Sequence, residues 1–342
     1  MSLLVLAPKV QIVPLDENKI ILFKKHAKSA KLSIEPYKHE IFANLLVSGF
    51  KKEDLSFLLE KPQNIIDNLI QKLLEHKILS FKSENHVLAK YRRLEAYLEN
   101  SQLESLQNSS VLLLGVGGLG SYIFEHLVAN GIKNITVLDD DSVEESNLSR
   151  QTLYSDEDVG NLKVEAAAVY AHKHGINIRA LACRINTTDD ILKIIKDNKF
   201  DLIISTIDEP IWQVTRYVIN AAKATNIPVL RANSRAVGPF YFPHKSACPL
   251  CKSFYKAKNI PNAKSIMERY NNGFPARKTC AISYELAYVS LIVIKEAINF
   301  LANVGQLASF NKELTWNAQE LSVASHKVIA CSNCIACGDV YE

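Results

Sequence analysis

A glycine-rich segment between a predicted strand and a predicted helix constrains the fold of this chain more than any other feature. Gly115, Gly117 and Gly120 form a G-x-G-x-x-G pattern. The apolar run 111–114 before them is typical of a buried strand, and 119–130 has the periodicity of a helix. Because glycines in this setting let the backbone turn tightly and approach phosphate groups at a helix N-terminus, the segment predicts a nucleotide-binding fold.

Apolar runs of strand length alternate with helical patterns downstream of these glycines. Strands are predicted over 135–138, 177–183, 202–205 and 229–230, and helices over 161–174, 188–196, 211–224 and 281–302. This alternation indicates an α/β fold with a Rossmann-like, mostly parallel sheet. Asp139 ends the second strand about 20 residues after the glycines, where a carboxylate can bind a ribose hydroxyl.

The first 88 residues have a different pattern and are expected to form a small domain of their own. The apolar runs 10–13 and 20–23 flank the turn-like Asp16-Glu17-Asn18 and predict a β-hairpin. Three helical patterns and a two-stranded wing follow, over 36–48, 51–60, 62–76, 78–81 and 87–88. This order predicts a winged-helix domain over 1–88. The second domain, 89–342, begins with a helical connector over 90–110.

Charge and composition exclude several classes of protein. The net charge of +4 over 342 residues is too small to demand a nucleic-acid partner. No apolar run reaches the roughly 18 residues that a membrane span requires, and the opening MSLLVLAPKVQIV reads as a strand because it lacks the basic leader of a signal peptide. Five of the seven cysteines stand in C-x-x-C spacings, which suits metal binding in the reducing cytoplasm better than a disulfide framework.

Two polar stretches, 138–151 and 155–163, follow the second strand. Together with the glycines they closely resemble the motifs of the ThiF/MoeB-like, ubiquitin-activating superfamily of adenylating enzymes. The resemblance covers residues 110–340, and within the superfamily it is most similar to the peptide maturases of the microcin C and pantocin A type. It implies an enzyme that uses ATP and Mg²⁺ to activate a carboxylate as an acyl adenylate.

The resemblance assigns roles to individual residues. Those implied to bind the nucleotide are Gly115, Gly117, Gly120, Asp139, Asp141, Asn147 and Gln151. Those implied to act in catalysis are Arg93, Arg150, Lys163 and Asp208. The glycines form the phosphate loop, Asp139 binds the ribose, Asn147, Arg150 and Lys163 contact the triphosphate, and Asp208 holds magnesium. This division agrees with the chemistry, because a triphosphate requires several cations to offset its charge as pyrophosphate leaves.

Each of these polar residues also has a purely structural alternative. Asn147 and Arg150 fit a capped helix start with a solvated face. Lys163 fits a surface lysine, Asp208 fits a helix cap, and the amide of Gln151 can serve the backbone.

A basic element, Lys90-Tyr91-Arg92-Arg93, precedes the connector. Members of the superfamily carry an Arg-Tyr-x-Arg element there, whose second arginine reaches the partner subunit's ATP. The resemblance therefore implies a homodimer in which Arg93 acts in trans. Lys90 departs from the first arginine of that element, and a solvated charge run is the alternative interpretation.

Two distant C-x-x-C pairs, Cys248 with Cys251 and Cys334 with Cys337, supply the four thiolates that structural zinc prefers. Cys331 and Cys334 also have this spacing, but Gly338 completes the C-x-x-C-G pattern of the superfamily and favours the second pair as written. A redox pair is the alternative. Cys280 is either a thioester-forming nucleophile or a small residue at the start of the helix over 281–302, and Cys183 is expected in the core.

Three functions are compatible with these patterns. In the first, the N-terminal domain binds the leader of a ribosomally made precursor peptide by strand addition, and the ATP site activates a carboxylate of that peptide in peptide-antibiotic biosynthesis. In the second, the chain activates a Gly-Gly-ended, ubiquitin-like sulfur carrier. Such activators usually lack a segment like 1–85, which favours the first function. In the third, the winged helix reads DNA and the remainder senses a nucleotide, with the lysine-rich stretch 24–31 as its support.

Overall fold

The computed structural model describes residues 3–7, 10–24, 29–81, 91, 94, 97–196, 198–207, 210–252, 261–262, 265 and 281–338. The chain divides into two compact units, Met1–Leu103 and Glu104–Glu342. This division falls inside the connector predicted over 90–110. Among the described helices, none combines the length and the apolar character that a membrane crossing needs.

Two small antiparallel sheets and a group of helices make up the described part of the first unit. Its strands are β1 (Leu4–Leu6), β2 (Val10–Asp16), β3 (Lys19–Lys24), β4 (Ala30–Ser33) and β5 (Leu79–Phe81), and its helices are α1 (His39–Ser48), α2 (Lys52–Leu59) and α3 (Gln63–Glu75). One sheet has the order β2-β3-β4, which confirms the predicted hairpin, and β1 pairs with β5 in the other.

The strand predicted over 78–81 has a different partner from the one expected. It pairs antiparallel with β1, so that Leu4 lies opposite Phe81. The other half of the predicted wing, 87–88, lies outside the described residues. The helices pack as their periodicity predicts: Ile66, Ile70 and Leu73 on one face of α3 are at most 3% exposed.

A five-stranded parallel sheet forms the centre of the second unit. Its strands are β6 (Ser110–Leu114), β7 (Asn134–Leu138), β8 (Arg179–Leu181), β9 (Leu202–Ser205) and β10 (Val229–Arg231), in the order β10-β9-β6-β7-β8. Residues 111–114 of β6 are fully buried, as expected of a central parallel strand covered on both faces. The predicted Rossmann-like sheet is confirmed.

Helices accompany these strands in the predicted alternation. They are α4 (Asn100–Asn108), α5 (Gly118–Ala129), α6 (Lys163–Lys173), α7 (Thr188–Lys196), α8 (Ile211–Thr225) and α9 (Ser283–Leu301). The chain leaves β6 toward β7 on one side and later returns to β9 on the other, which makes the gap between β6 and β9 a topological switch point. Leu114 and Ser205 are opposite each other at its carboxyl edge. Open α/β sheets bind their ligands at such a point.

A second sheet in this unit does not follow from the sequence pattern. It is antiparallel and consists of β11 (Ala236–Val237), β12 (Lys312–Asn317) and β13 (Ser322–Lys327). Most of β13 is exposed, and its mixture of Ser, Ala, His and Lys gives no alternation to detect.

The prediction that Cys183 lies in the core is wrong. The strand predicted over 177–183 contains only Arg179–Leu181. Because β8 is the edge strand of the sheet and ends before this cysteine, its side chain is exposed.

Candidate functional site

The loop between β6 and α5 and the first turn of α5 each require a glycine for steric reasons. Gly115 has a φ of +92°, and a Cβ there would lie 2.8 Å from Oγ1 of Thr206. A Cβ on Gly120 would lie 2.0 Å from the carbonyl oxygen of Gly115. The loop and the first turn of α5 therefore pack against each other and against the chain that follows β9, at the switch point of the sheet.

Gly117 differs from these two glycines because it faces open space. A Cβ at this position would meet no atom within 4 Å. Gly117 is the N-cap of α5, where the first N–H groups of the helix have no intrahelical acceptor and the helix dipole favours negative charge. The space beside Gly117 is thus a cradle that fits a phosphate group.

Arg150 lies next to this cradle. Its Nε is 4.0 Å from the position that a Cβ of Gly118 would occupy. Its Nη1 donates to the carbonyl oxygen of Ser146 at 2.9 Å, which orients the guanidinium. The remaining N–H groups of the guanidinium fork suit the oxygens of a phosphate.

Asp139 connects the loop to the polar stretch that follows β7. Its carboxylate accepts hydrogen bonds from the backbone N–H of Val116 at 2.8 Å and of Asp141 at 3.0 Å. Burial raises the pKa of Asp139, and the charge of Lys163 partly opposes that rise. Each carboxylate oxygen retains capacity for another donor, so this carboxylate could also accept a hydroxyl group.

Lys163, the first residue of α6, is buried beside this carboxylate. Its Nζ donates to Oδ2 of Asp141 at 2.7 Å, and the side chains of Lys163 and Asp141 are 7% and 67% exposed. The surface-lysine alternative therefore fails for Lys163. An ammonium group is held at the site by a carboxylate that water can reach.

Asn147 and Gln151 flank Arg150 in the sequence, and both are buried. Oδ1 of Asn147 accepts the backbone N–H of Glu144 at 3.1 Å, so this oxygen caps a short 3-10 helix, Glu145–Asn147, as the structural alternative anticipates. Oε1 of Gln151 is buried and has no donor among the described residues. A buried acceptor left without a donor costs about 1–3 kcal/mol, and a hydroxyl or amino group of a ligand would remove that cost.

Two further polar residues of the site escape detection in the sequence. The hydroxyl of Tyr154 donates to the carbonyl oxygen of Val116 at 2.8 Å, and burial raises the pKa of Tyr154, so it remains a donor. Oγ of Ser205, at the carboxyl end of β9, is buried without a partner in the described part of the chain. Neither residue belongs to a sequence motif whose spacing would identify it as part of a nucleotide site.

Two of the sequence-predicted residues cannot be placed. Arg93 and Asp208 lie outside the described residues, so their roles in phosphate and magnesium binding stay predictions. The structure brings together the glycine loop, Asp139, Asp141, Lys163 and Arg150. The set fits a nucleotide triphosphate, because it combines an open cradle for phosphate, nearby cations and a buried carboxylate.

Four cysteines converge elsewhere in the second unit. Sγ of Cys248 lies 3.8 Å from that of Cys251 and 3.6 Å from that of Cys334, and the sulfurs of Cys251 and Cys337 are 3.4 Å apart. All four side chains are buried, and their sulfurs lie within 4.8 Å of one another. We call these residues the cysteine cluster. Tetrahedral zinc with Zn–S bonds of about 2.3 Å places its sulfurs roughly 3.8 Å apart, so the residues fit this metal.

The local turns explain why these cysteines converge. The N–H of Cys251 donates to the carbonyl oxygen of Cys248 at 3.0 Å, and the N–H of Gly338 donates to that of Cys334, also at 3.0 Å. A Cβ on Gly338 would lie 2.4 Å from the carbonyl oxygen of Ser332. Steric exclusion therefore explains why the last position of C-x-x-C-G is glycine. Cys331 is buried but does not belong to the cluster. Cys280 lies outside the described residues.

Thiol chemistry also favours a cation at the cysteine cluster. Hydrogen bonding with Cys251 and Cys334, together with burial, raises the pKa of Cys248. Four buried thiolates cannot form together without a positive charge to neutralise them. A bound metal ion would supply it.

The sequence of residues 90–335 matches the family model described as ThiF family. The chain is 34% identical over 169 residues to the adenylyltransferase and sulfurtransferase UBA4 of Meyerozyma guilliermondii, which covers 48% of this chain and 38% of that protein. It is 36% identical over 107 residues to the NEDD8-activating enzyme E1 catalytic subunit of Caenorhabditis elegans, covering 31% of this chain and 24% of that protein. The chain thus spans less than half the length of these curated relatives.

Solved structures resemble the chain over nearly its full length. E. coli MccB with ATP aligns with a TM-score of 0.69 at 21% identity, covering 98% of this chain and 100% of that chain. MccB in complex with N-formylated MccA gives 0.69 at 21% identity, with 98% and 99% covered. PaaA gives 0.68 at 19% identity, with 94% and 98% covered. At these identities the likeness establishes the fold alone.

Proposed function

The chain belongs to the ThiF family, and from that premise we propose that it is an ATP-dependent enzyme that activates a carboxylate as an acyl adenylate. The observation that carries the proposal is the open cradle beside Gly117 at the switch point of the sheet, with Arg150 next to it. Asp139 links the backbone of this loop, through Val116, to the polar segment that holds Lys163. Phosphate, ribose and cationic contacts are therefore available within one site.

In the proposed reaction, a carboxylate oxygen of the substrate attacks the α-phosphorus of ATP. The bond from that phosphorus to the oxygen bridging toward the β-phosphorus breaks, and pyrophosphate leaves with the electron pair. Asp208, the predicted magnesium ligand, would hold the metal, which when bound would neutralise charge on the triphosphate. Arg150 and Lys163 offset the negative charge that develops on the leaving pyrophosphate.

Lys163 is well suited to this role because its present partner is easily released. When a triphosphate binds, we expect Nζ to exchange the carboxylate of Asp141 for a phosphate oxygen. The carboxylate of Asp141 is already largely in water, so losing this ion pair costs little. Asp141 thus keeps the ammonium group oriented until the nucleotide arrives.

We propose a ribosomally made precursor peptide as the substrate, with its leader bound by the first unit. The sheet β2-β3-β4 has two edges. Pro14 has no N–H to donate, and the register shifts between Pro14 and Asp16, so the β2 edge is poorly suited to pairing. The β4 edge has no proline and offers its main-chain groups to an added strand. MccB, whose fold the chain shares, has been solved in complex with N-formylated MccA.

A second candidate function is activation of a Gly-Gly-ended, ubiquitin-like carrier. The curated relatives favour it, because UBA4 is an adenylyltransferase and sulfurtransferase and the second relative activates NEDD8. Both candidates use the same adenylation chemistry and differ in the protein that delivers the carboxylate.

The cysteine cluster and subunit composition complete the proposal. We propose structural zinc at the four thiols, with no open ligand position for catalysis. A homodimer in which Arg93 contacts the partner's ATP follows from the family resemblance and remains a proposal.

The test is exchange of labelled pyrophosphate into ATP, measured with no substrate, with a candidate precursor peptide encoded beside the gene, and with a Gly-Gly-ended carrier. Exchange that requires the peptide supports the first function. Exchange that requires the carrier, and that no peptide supports, establishes the second and contradicts the first.

A further inference from the structure

A groove lies at the amino edge of the central sheet, opposite the edge that carries the glycine loop. Its volume is about 730 Å³, and it is bordered by the amino ends of the strands, including Ser110, Asn134 and Arg179. We call it the amino-edge groove. Since the five residues of β6 span roughly 17 Å, the groove and the phosphate cradle are separate sites at the two ends of one strand.

Positive charge is concentrated in this groove without a matching negative charge. Its lining contains Lys133, Arg179 and Lys199. None of the three takes part in the ion pairs found between described residues. The carboxylate in the lining, Asp201, accepts the backbone N–H of Ser110 at 2.8 Å. The lining therefore contains three cationic residues and one carboxylate, and that carboxylate is already hydrogen-bonded.

The framework of the groove is set by hydrogen bonds to main-chain groups. The N–H of Asp201 donates to the carbonyl oxygen of Ser110 at 2.8 Å, which gives this pair a reciprocal contact. The side-chain Nδ2 of Asn134 donates to the main-chain carbonyl oxygen of Asn108 at 3.1 Å. Arg179 is the register partner of Thr136 on β7. A ligand would thus meet a preformed surface, so that only the long cationic side chains have to be ordered.

The groove contains more donors than a single carboxylate ligand can use. Arg179 offers a planar fork of N–H groups, and the two lysines offer ammonium groups. The volume lies within the roughly 300–1,000 Å³ that is typical of small-molecule sites. We propose that the amino-edge groove binds a small polyvalent anion of the phosphate class, at a site independent of the ATP cradle.

Tripolyphosphate is the probe, and hydrogen–deuterium exchange of the full chain locates its binding. Because the ATP cradle also attracts phosphate, the measurement is made on the parent chain and on Arg150→Gln, in which the cradle is weakened. The proposal expects protection of peptides covering 107–111, 133–136 and 177–180 in both. Protection confined to the glycine loop, or no protection in either protein, would overturn it.

Side-chain variants then identify the cations responsible. Arg179→Gln and Lys199→Gln should each weaken tripolyphosphate binding at the amino-edge groove about tenfold or more, because each removes a charged hydrogen bond. Lys196→Gln, an exposed lysine of α7 outside the groove, is the matched control and should bind as the parent does. Affinity should also fall as salt rises. Equal affinity of all three variants would contradict the proposal, and unchanged thermal unfolding would show that the substitutions leave the fold intact.

Discussion

Nζ of Lys163 lies 2.7 Å from Oδ2 of Asp141, and the lysine of this ion pair is buried while the aspartate is largely exposed. The pair therefore consists of a buried cation at the candidate nucleotide site and a carboxylate that remains hydrated. If Lys163 transfers to a phosphate oxygen, its removal should affect catalysis much more than stability.

Lys163→Gln tests this separation. We expect it to lower pyrophosphate exchange by about a hundredfold or more, the effect of removing one donor to a developing charge. Thermal unfolding should shift little, because the partner left behind is exposed. Lys173→Gln, an exposed lysine at the other end of α6, is the control and should retain full exchange. Full exchange in Lys163→Gln would remove this lysine from the mechanism.

Gly117 and Gly120, at the N-cap and in the first turn of α5, provide a matched pair of substitutions. Gly117→Ala meets no atom within 4 Å, so we expect a free energy of unfolding within about 0.5 kcal/mol of the parent. Its methyl group would occupy the cradle and should weaken ATP binding tenfold or more. Gly120→Ala would force a methyl group to within 2.0 Å of a carbonyl oxygen and should destabilise the fold by about 1–3 kcal/mol or more. Urea unfolding measures the stability of the two variants, and ATP titration measures their nucleotide affinity. A Gly117→Ala variant that is destabilised but binds ATP normally would contradict the role of Gly117 in the phosphate cradle.

The cysteine cluster predicts which thiols hold zinc. The purified chain should contain one zinc per polypeptide by elemental analysis. Cys337→Ser should lose it and unfold at lower temperature, because structural zinc contributes directly to folding. Cys331→Ser should retain the metal, since Cys331 is not one of the four converging sulfurs. Loss of zinc from Cys331→Ser, with retention in Cys337→Ser, would show that Cys331 is a zinc ligand and Cys337 is not.

Glu296 predicts a pH-dependent contribution to stability. It is fully buried on α9 and accepts hydrogen bonds from the N–H and hydroxyl of Ser309, at 2.8 and 2.5 Å. Burial favours the protonated acid, but hydrogen bonds from Lys295 and Ser309 outweigh it and hold the pKa of Glu296 below its ordinary value of 4.5. The ionised group therefore stabilises the fold above pH 4.5, and this contribution is lost as pH falls through the lowered pKa.

Glu296→Gln should lower the free energy of unfolding at pH 7 by about 1.5–3 kcal/mol. The difference from the parent should shrink as the pH falls below 4.5, where the parent also becomes neutral. Urea unfolding across this pH range measures it, with the exposed Glu320→Gln as control. A difference that grows on acidification would have the wrong sign for this mechanism.

The parallel sheet and its glycine loop were predictable because they depend on local patterns. Residues 111–114 are apolar without interruption, and Gly115 and Gly120 stand where the backbones of the loop and the helix meet. The register of β9 beside β6, by contrast, is set by packing across the sheet. The hairpin of β12 and β13 was not predictable. Because β13 is mostly exposed, its sequence does not alternate between apolar and polar residues.

Within the candidate site, residue types were easier to predict than their contacts. Lys163 was singled out by its place in a motif, but its ion pair with Asp141 depends on how α6 begins relative to the loop after β7. Tyr154 carries no motif, because its hydrogen bond to Val116 joins residues 38 positions apart. Outside the candidate site, Glu296 had one available signal: a charged residue interrupts the apolar face of a long helix.

Identifying the products of ATP turnover tests the central claim most directly. The chain is incubated with ATP, magnesium and the substrate that supports exchange, and phosphorus NMR is used to follow the products. Cleavage between the α- and β-phosphorus should release pyrophosphate and leave AMP on the carboxylate. Formation of ADP and phosphate, or a site that binds NADH and leaves ATP intact, would contradict the account.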